Sequence, residues 1–213
     1  MNSDDLIATL AHDLRPVPRH ALGRLFWQGG LAGALVTLVA VGGVLGYRPD
    51  LAQALHGATF WIKSAYTISL AVCATAATMR LARPDGAVGG WLRLMAVPVL
   101  GLAIVAVGEL ANTPRGQWLA LWLGHSWTVC SRNVFLLSVP IFVGLLWSLR
   151  RLAPTRLALA GTSAGMAAGG WGASLYCLHC PETSALFVLT WYTLGMAAAA
   201  LVGRLLGERL LRW

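Results

Sequence analysis

Residues 150–183 read RRLAPTRLALAGTSAGMAAGGWGASLYCLHCPET. Arg150, Arg151 and Arg156 crowd the entrance, and residues 157–178 then carry no Asp, Glu, Lys or Arg. The run ends in Tyr176-Cys177-Leu178-His179-Cys180-Pro181-Glu182, which holds no basic residue. A helix of about 20 apolar residues crosses a bilayer, and arginine marks the cytoplasmic flank. The stretch is therefore predicted to leave the cytoplasm as a helix over 157–178, turn on the outer side, and return over 184–206.

The same grammar extends to the whole chain. Of 213 residues, 57% are hydrophobic and 11% charged, where a soluble domain carries roughly 25% charged. The fold class is all-α: a polytopic membrane protein of six transmembrane helices, at residues 25–45, 65–79 (beginning nearer 60), 91–111, 128–149, 157–178 and 184–206. Net charge is +8, but the basic residues bracket apolar runs and form no stripe, which speaks for orientation in a bilayer and against direct nucleic-acid binding. Twelve of them fall on one side, and Arg48, Lys63, Arg115 and Arg132 on the other. Both termini are thus expected in the cytoplasm. Lys63 is expected to snorkel outward. Trp61, Trp118, Trp122 and Trp127 form an outer aromatic belt, and Trp27, Trp91, Trp147 and Trp213 an inner one.

Residues 1–24 form a cytoplasmic segment ahead of the membrane domain, residues 25–213. Leu6, Leu10 and Leu14 recur on one helical face with Ile7 and Ala11 alongside, and Pro16 and Pro18 end the pattern. This short amphipathic helix either lies on the lipid surface or docks a cytosolic partner; periodicity does not separate the two. It does not read as a cleaved signal peptide. Gly161, Gly165 and Gly169, and Gly195, Ala199, Gly203 and Gly207, repeat every four residues, a spacing that lets helix backbones approach closely. Packing within one subunit accounts for them more simply than a dimer face.

Chemistry concentrates on the outer side. Cys130, Cys177 and Cys180 are expected at one depth, whereas Cys73 lies mid-span as an apolar filler. Three chemistries fit: a reversible disulfide (Cys130–Cys180 or Cys177–Cys180), a soft-metal site on two or three thiolates with His179, which His125 of the facing loop could join unless it is simply an interfacial residue, or a catalytic dithiol. An inert disulfide is the plainer alternative in an oxidising compartment. No carboxylate falls at mid-span, which weakens a transporter reading. Glu109 is read as a snorkelling carboxylate.

Several segments together carry a family resemblance. They are Asp4-Asp5-Leu6-Ile7, Asp13-Leu14-Arg15-Pro16-Val17, Arg48-Pro49-Asp50-Leu51, Phe60-Trp61-Ile62-Lys63, Arg80-Leu81-Ala82-Arg83-Pro84, Ser126-Trp127-Thr128-Val129-Cys130, Leu152-Ala153-Pro154-Thr155-Arg156, His179-Cys180-Pro181-Glu182 and Trp191-Tyr192. In order and spacing the chain resembles the NrsF family of proteobacterial membrane anti-sigma factors. The resemblance implies a non-enzymatic regulator in the inner membrane that holds an extracytoplasmic-function sigma factor through its N-terminal segment. Leu6, Leu10 and Leu14 then become the contact face and Asp13 and Arg15 its polar edge. It also implies that two outer-side cysteines, matching Cys130 and Cys180, respond to heavy metal or oxidant. No resident cofactor is expected beyond a transient heavy-metal ion on Cys130 and Cys180. Cys177 stands where the family pattern has a small apolar residue, which leaves open which pair closes. The alternative function is a membrane thiol-disulfide oxidoreductase using the same outer cysteines.

Overall fold

The computed structural model describes Asp5 and residues 21–83, 89–152 and 154–212. Leu6, Leu10, Asp13, Leu14 and Arg15 lie outside the described residues. Every regular element among those described is helical. α1 (Ala21–Ala40) continues as a π-helical turn, Val41–Leu45. The short α2 (Leu51–Ala54) leads into α3 (Ala58–Leu81). α4 (Gly89–Leu94) and α5 (Ala96–Ala111) are separated by a break at Met95. α6 (Trp118–Leu123) precedes α7 (Trp127–Arg150) and α8 (Leu157–Tyr176). The chain closes with α9 (Ala185–Phe187), a second π-helical turn (Val188–Tyr192) and α10 (Thr193–Leu210).

Two buried clusters define the two ends of the bundle. One gathers Phe26, Leu81, Leu149, Ala160 and Leu211; the other gathers Val41, Phe60, Cys130, Tyr176, Phe187 and Tyr192. α1, α3, α7, α8 and the α9–α10 unit each contribute to both clusters, so each runs the length of the bundle. α4–α5 does the same, with Trp91 against the first cluster and Leu102 and Ala106 in the second.

Four helical segments are long and apolar enough to cross a membrane: Gly23–Leu45, Ala58–Leu81, Arg115–Arg150 and Ala185–Leu210. The expected fifth span, α8, is not among them, and the reason is its position. It packs against α3, α7 and α10. Its buried face is nearly all Gly, Ala and Ser. A helix enclosed by helices has no need of lipid-facing leucines, and small residues let its neighbours close in. α5 differs in the opposite way: it is strongly apolar but only 16 residues long, and Val97, Leu100, Ile104 and Val107 point outward.

The glycine stripes sit in these contacts. A Cβ on Gly161 would overlap the Gly203 carbonyl, and one on Gly165 the Ala199 carbonyl, so α8 and α10 touch backbone to backbone. Gly29 and Gly144 make the same contact between α1 and α7. Hydroxyls fasten these seams. Thr37 Oγ1 donates to Leu137 O at 3.0 Å beside Pro140. Ser148 Oγ donates to Leu25 O at 2.9 Å, and Ser131 Oγ to Trp191 O at 2.7 Å. Such interhelical bonds contribute roughly 0.6 kcal/mol each in a membrane protein.

Candidate functional site

The site is the cluster end that holds the cysteines. α7 begins at Trp127, and Cys130 N closes its first turn on Ser126 O at 2.9 Å. This turns Cys130 inward, fully buried. At the far end of α8 the backbone tightens: His179 N and Cys180 N both donate to Tyr176 O, at 3.0 Å. Pro181 lacks the N–H that would extend the helix. The tight turn folds Cys180 back into the core, into the buried cluster that holds Cys130, and the two thiols interact there. All four cysteines are free thiols.

Cys177 faces elsewhere. Its Sγ donates to Ala173 O at 3.3 Å, and Thr67 and Ser64 of α3 are its other polar neighbours. The structure thus brings Cys130 to Cys180 and turns Cys177 towards α3. Cys73 is buried mid-helix in α3, away from this cluster. His179 binds Gly46 O through Nδ1 at 2.8 Å and lies against the Tyr176 ring, centroids 5.5 Å apart. Gly46 takes φ +78°, a left-handed conformation that suits glycine. The His125 side chain is fully exposed. Among the described residues no three His, Cys, Asp or Glu side chains converge as a metal-holding group.

Two charged residues behave differently from expectation. Lys63 does not reach outward. It is 3% exposed, and its Nζ donates to Cys180 O and Glu182 O, both at 2.9 Å. It also stands 5.6 Å from the centroid of the Tyr192 ring. The turn carries carbonyls that the end of α8 leaves unpaired, and a buried ammonium is their donor. Glu109 is not a snorkelling carboxylate either. Its Oε2 accepts from Ala185 N at 2.8 Å and Ser184 Oγ at 3.1 Å, capping the last helical column. Glu182 caps α7 in the same way. Its Oε1 accepts from His125 N at 2.7 Å and from Ser126 N and Ser126 Oγ at 3.1 Å. A carboxylate at a helix N-terminus meets both orphan N–H groups and the positive end of the dipole.

The electrostatics of the turn favour an anionic sulfur at Cys180. The hydrogen bond from the Cys130 thiol acts first, against the cost of burial. The positive charge of Lys63 and the Tyr192 hydroxyl add to it, and together they hold the Cys180 thiol below its ordinary range. Tyr192 is fully buried, and its hydroxyl makes no conventional hydrogen bond. Lys63 and Tyr192 were absent from the sequence-derived site. One signal was available for Lys63, the single lysine in a chain whose other basic residues are all arginine.

The chain is 40% identical over 219 residues to the anti-sigma-F factor NrsF of Caulobacter vibrioides (strain NA1000 / CB15N), with the whole of both chains covered. It is likewise 40% identical over 220 residues to the probable anti-sigma-F factor NrsF of Azospira oryzae (strain ATCC BAA-33 / DSM 13638 / PS), again over both full chains. No solved structure matches it. Residues 10–213 match the family described as NrsF, negative regulator of sigma F. The chain belongs to the NrsF family of negative regulators of sigma F.

Proposed function

We propose that this chain is an inner-membrane anti-sigma factor with six crossings and both termini in the cytoplasm. Residues 1–24 hold an extracytoplasmic-function sigma factor, and closure of a Cys130–Cys180 disulfide on the periplasmic side releases it. One observation carries the sensing half. Two thiols fifty residues apart in sequence, one in the first turn of α7 and one just past the end of α8, are gathered in one buried cluster and interact there. A disulfide holds its Cα atoms about 4.4–6.8 Å apart, so closing it would tie α7 to the end of α8. The family membership and the relatives' names support the partner class, and the arginine-rich end of the bundle supports the orientation. At that end Arg151 stacks on Trp147, 4.2 Å from the ring centroid. This is where a cytoplasmic interface would place both groups.

The test is co-purification. The tagged chain is expressed with the extracytoplasmic-function sigma factor of the same cell, with residues 1–24 present or deleted, before and after a thiol oxidant. Capture should need residues 1–24 and fall on oxidation. A C130S/C180S chain should bind and no longer respond. Release from that double variant would sink the cysteine switch, and capture without residues 1–24 would sink the docking assignment.

A further inference from the structure

The buried Lys63 points to an order of reaction at the thiols, an inference that rests on Cys130 and Cys180 being the sensing pair. We propose that Lys63 is a positioning residue that makes Cys180 the first thiol to react, with a small neutral two-electron oxidant of the hydroperoxide class, and that Cys130 then closes the disulfide. The geometry singles out Cys180. Lys63 grips the backbone on both sides of Pro181, at Cys180 O and Glu182 O. It fixes the turn that carries that sulfur. Among the described residues no carboxylate lies within ion-pair distance of Lys63. The carboxylate of Glu182, whose backbone carbonyl Lys63 grips, is spent on the cap of α7. The ammonium is therefore paired only with carbonyls of the turn that carries Cys180, and its charge acts on that sulfur. The Tyr192 hydroxyl, without a conventional partner, acts on the same sulfur.

The surroundings also limit the oxidant. Both sulfurs are fully buried. A cavity of about 30 Å³ borders Lys63, lined in part by Thr59, Glu109, Thr183 and Val188. It lies on the Lys63 side of the turn and does not reach either sulfur, so burial itself is what favours a small, neutral oxidant. In the reaction, the Cys180 thiolate attacks one peroxide oxygen. An S–O bond forms, the O–O bond breaks, and hydroxide or alkoxide leaves and takes up a proton. The sulfur loses two electrons to become a sulfenic acid, and the peroxide gains them. The Cys130 thiol then gives up its proton and attacks that sulfur. The S–S bond forms and water departs with the S–O oxygen.

The experiment uses the full chain in detergent with hydrogen peroxide. Sulfenic acid is trapped with dimedone in C130S and in C180S, and disulfide formation is timed in the unmutated chain, all by mass spectrometry. The trap should mark Cys180 in C130S and leave Cys130 unmarked in C180S. K63M should slow disulfide formation about tenfold or more at neutral pH, and K63R should recover much of the rate. If K63M does not fold, the pH profile of iodoacetamide alkylation in the unmutated chain decides instead. Cys180 should alkylate well below the pH at which a free thiol reacts, ahead of Cys130 and Cys177. First marking at Cys130 or Cys177, an unchanged rate in K63M, or an ordinary thiol profile at Cys180 overturns the inference. Sigma-factor capture is scored on the same samples. Lys63-dependent oxidation with release persisting in C180S would remove the sensing role and leave the reaction order standing. Lys63-independent oxidation with release lost in C180S would do the reverse.

Discussion

Removing the Glu182 carboxylate should open the thiol site before it unfolds the protein. One oxygen of this side chain takes three hydrogen bonds at the start of α7, and the residue is 9% exposed, so water does not replace them readily. A hydrogen bond to a charged group contributes about 1.5–3 kcal/mol, and loss of a helix cap costs roughly 0.5–2 kcal/mol. The three bonds share one acceptor and do not add. About 3 kcal/mol is therefore expected for Glu182→Ala, and about half of that for Glu182→Gln, which keeps an acceptor and loses the charge. The loss should fall on local opening, because the cap joins the 180–183 turn to α7 and little else depends on it. About 3 kcal/mol corresponds to roughly a hundredfold rise in the open population. The assay is maleimide labelling of Cys130 and Cys180, both buried in the closed state, alongside denaturant unfolding followed by helix content. Glu109→Gln is the control. It weakens the cap of the last column without touching the turn, and should lower the unfolding midpoint while leaving thiol labelling slow. Labelling of Glu182→Ala at the unmutated rate would refute the cap as the latch of the site.

Gly165→Val should destabilise the bundle by several kcal/mol, since its Cβ would enter the Ala199 backbone. Gly101→Ala, where nothing lies within 4 Å, should change the midpoint little; unfolding in detergent compares the two. Cys177→Ala should leave Cys130–Cys180 oxidation intact, because its thiol faces Ala173 O and α3; non-reducing mass spectrometry after oxidant treatment reads this directly. His179→Ala should leave soft-metal binding by the two thiols unchanged in a titration, because the histidine is committed to Gly46 O.

The sequence made the helical class and the clustering of Cys130, Cys177 and Cys180 legible for a simple reason. Charge-free runs and arginine flanks are one-dimensional signals, and 157–178 shows both. The glycine repeats were legible too, as close approaches within one subunit. Lys63 and Glu109 were misread for a physical reason. Snorkelling is the default for a charge near the end of an apolar run. It yields only where the interior offers partners, here the unpaired carbonyls after α8 and the unpaired N–H groups before α9. Those partners come from elements over a hundred residues away for Lys63 and over seventy for Glu109, as the separations of 117 and 76 show. No local pattern contains them. The low apolarity of α8 was equally invisible as a sign of enclosure until its neighbours were in place.

That enclosure gives the bundle a route from the thiols to the opposite end. Cys180 sits just past the C-terminus of α8, and Gly161, near its N-terminus, lies against Gly203 of α10. Between them α8 meets α10 backbone to backbone, with no flexible side chains at Gly161 and Gly165 to absorb a displacement. Under the proposed switch, a pull on the turn would move α8 as a stiff rod against α10 and would not be dissipated in rotamer changes at these glycines. Coupling of 1–3 kcal/mol alters affinity about 5–150-fold, so the displacement need not be large. It needs two discrete packings of α8 against α10 that the oxidised and reduced thiols favour differently. The π-helical turn at Val188–Tyr192 supplies a place for such a change. π-bulges inside α-helices are frequent at functional sites, and here the π-helical turn ends on Tyr192, whose ring faces Lys63 and whose hydroxyl acts on Cys180.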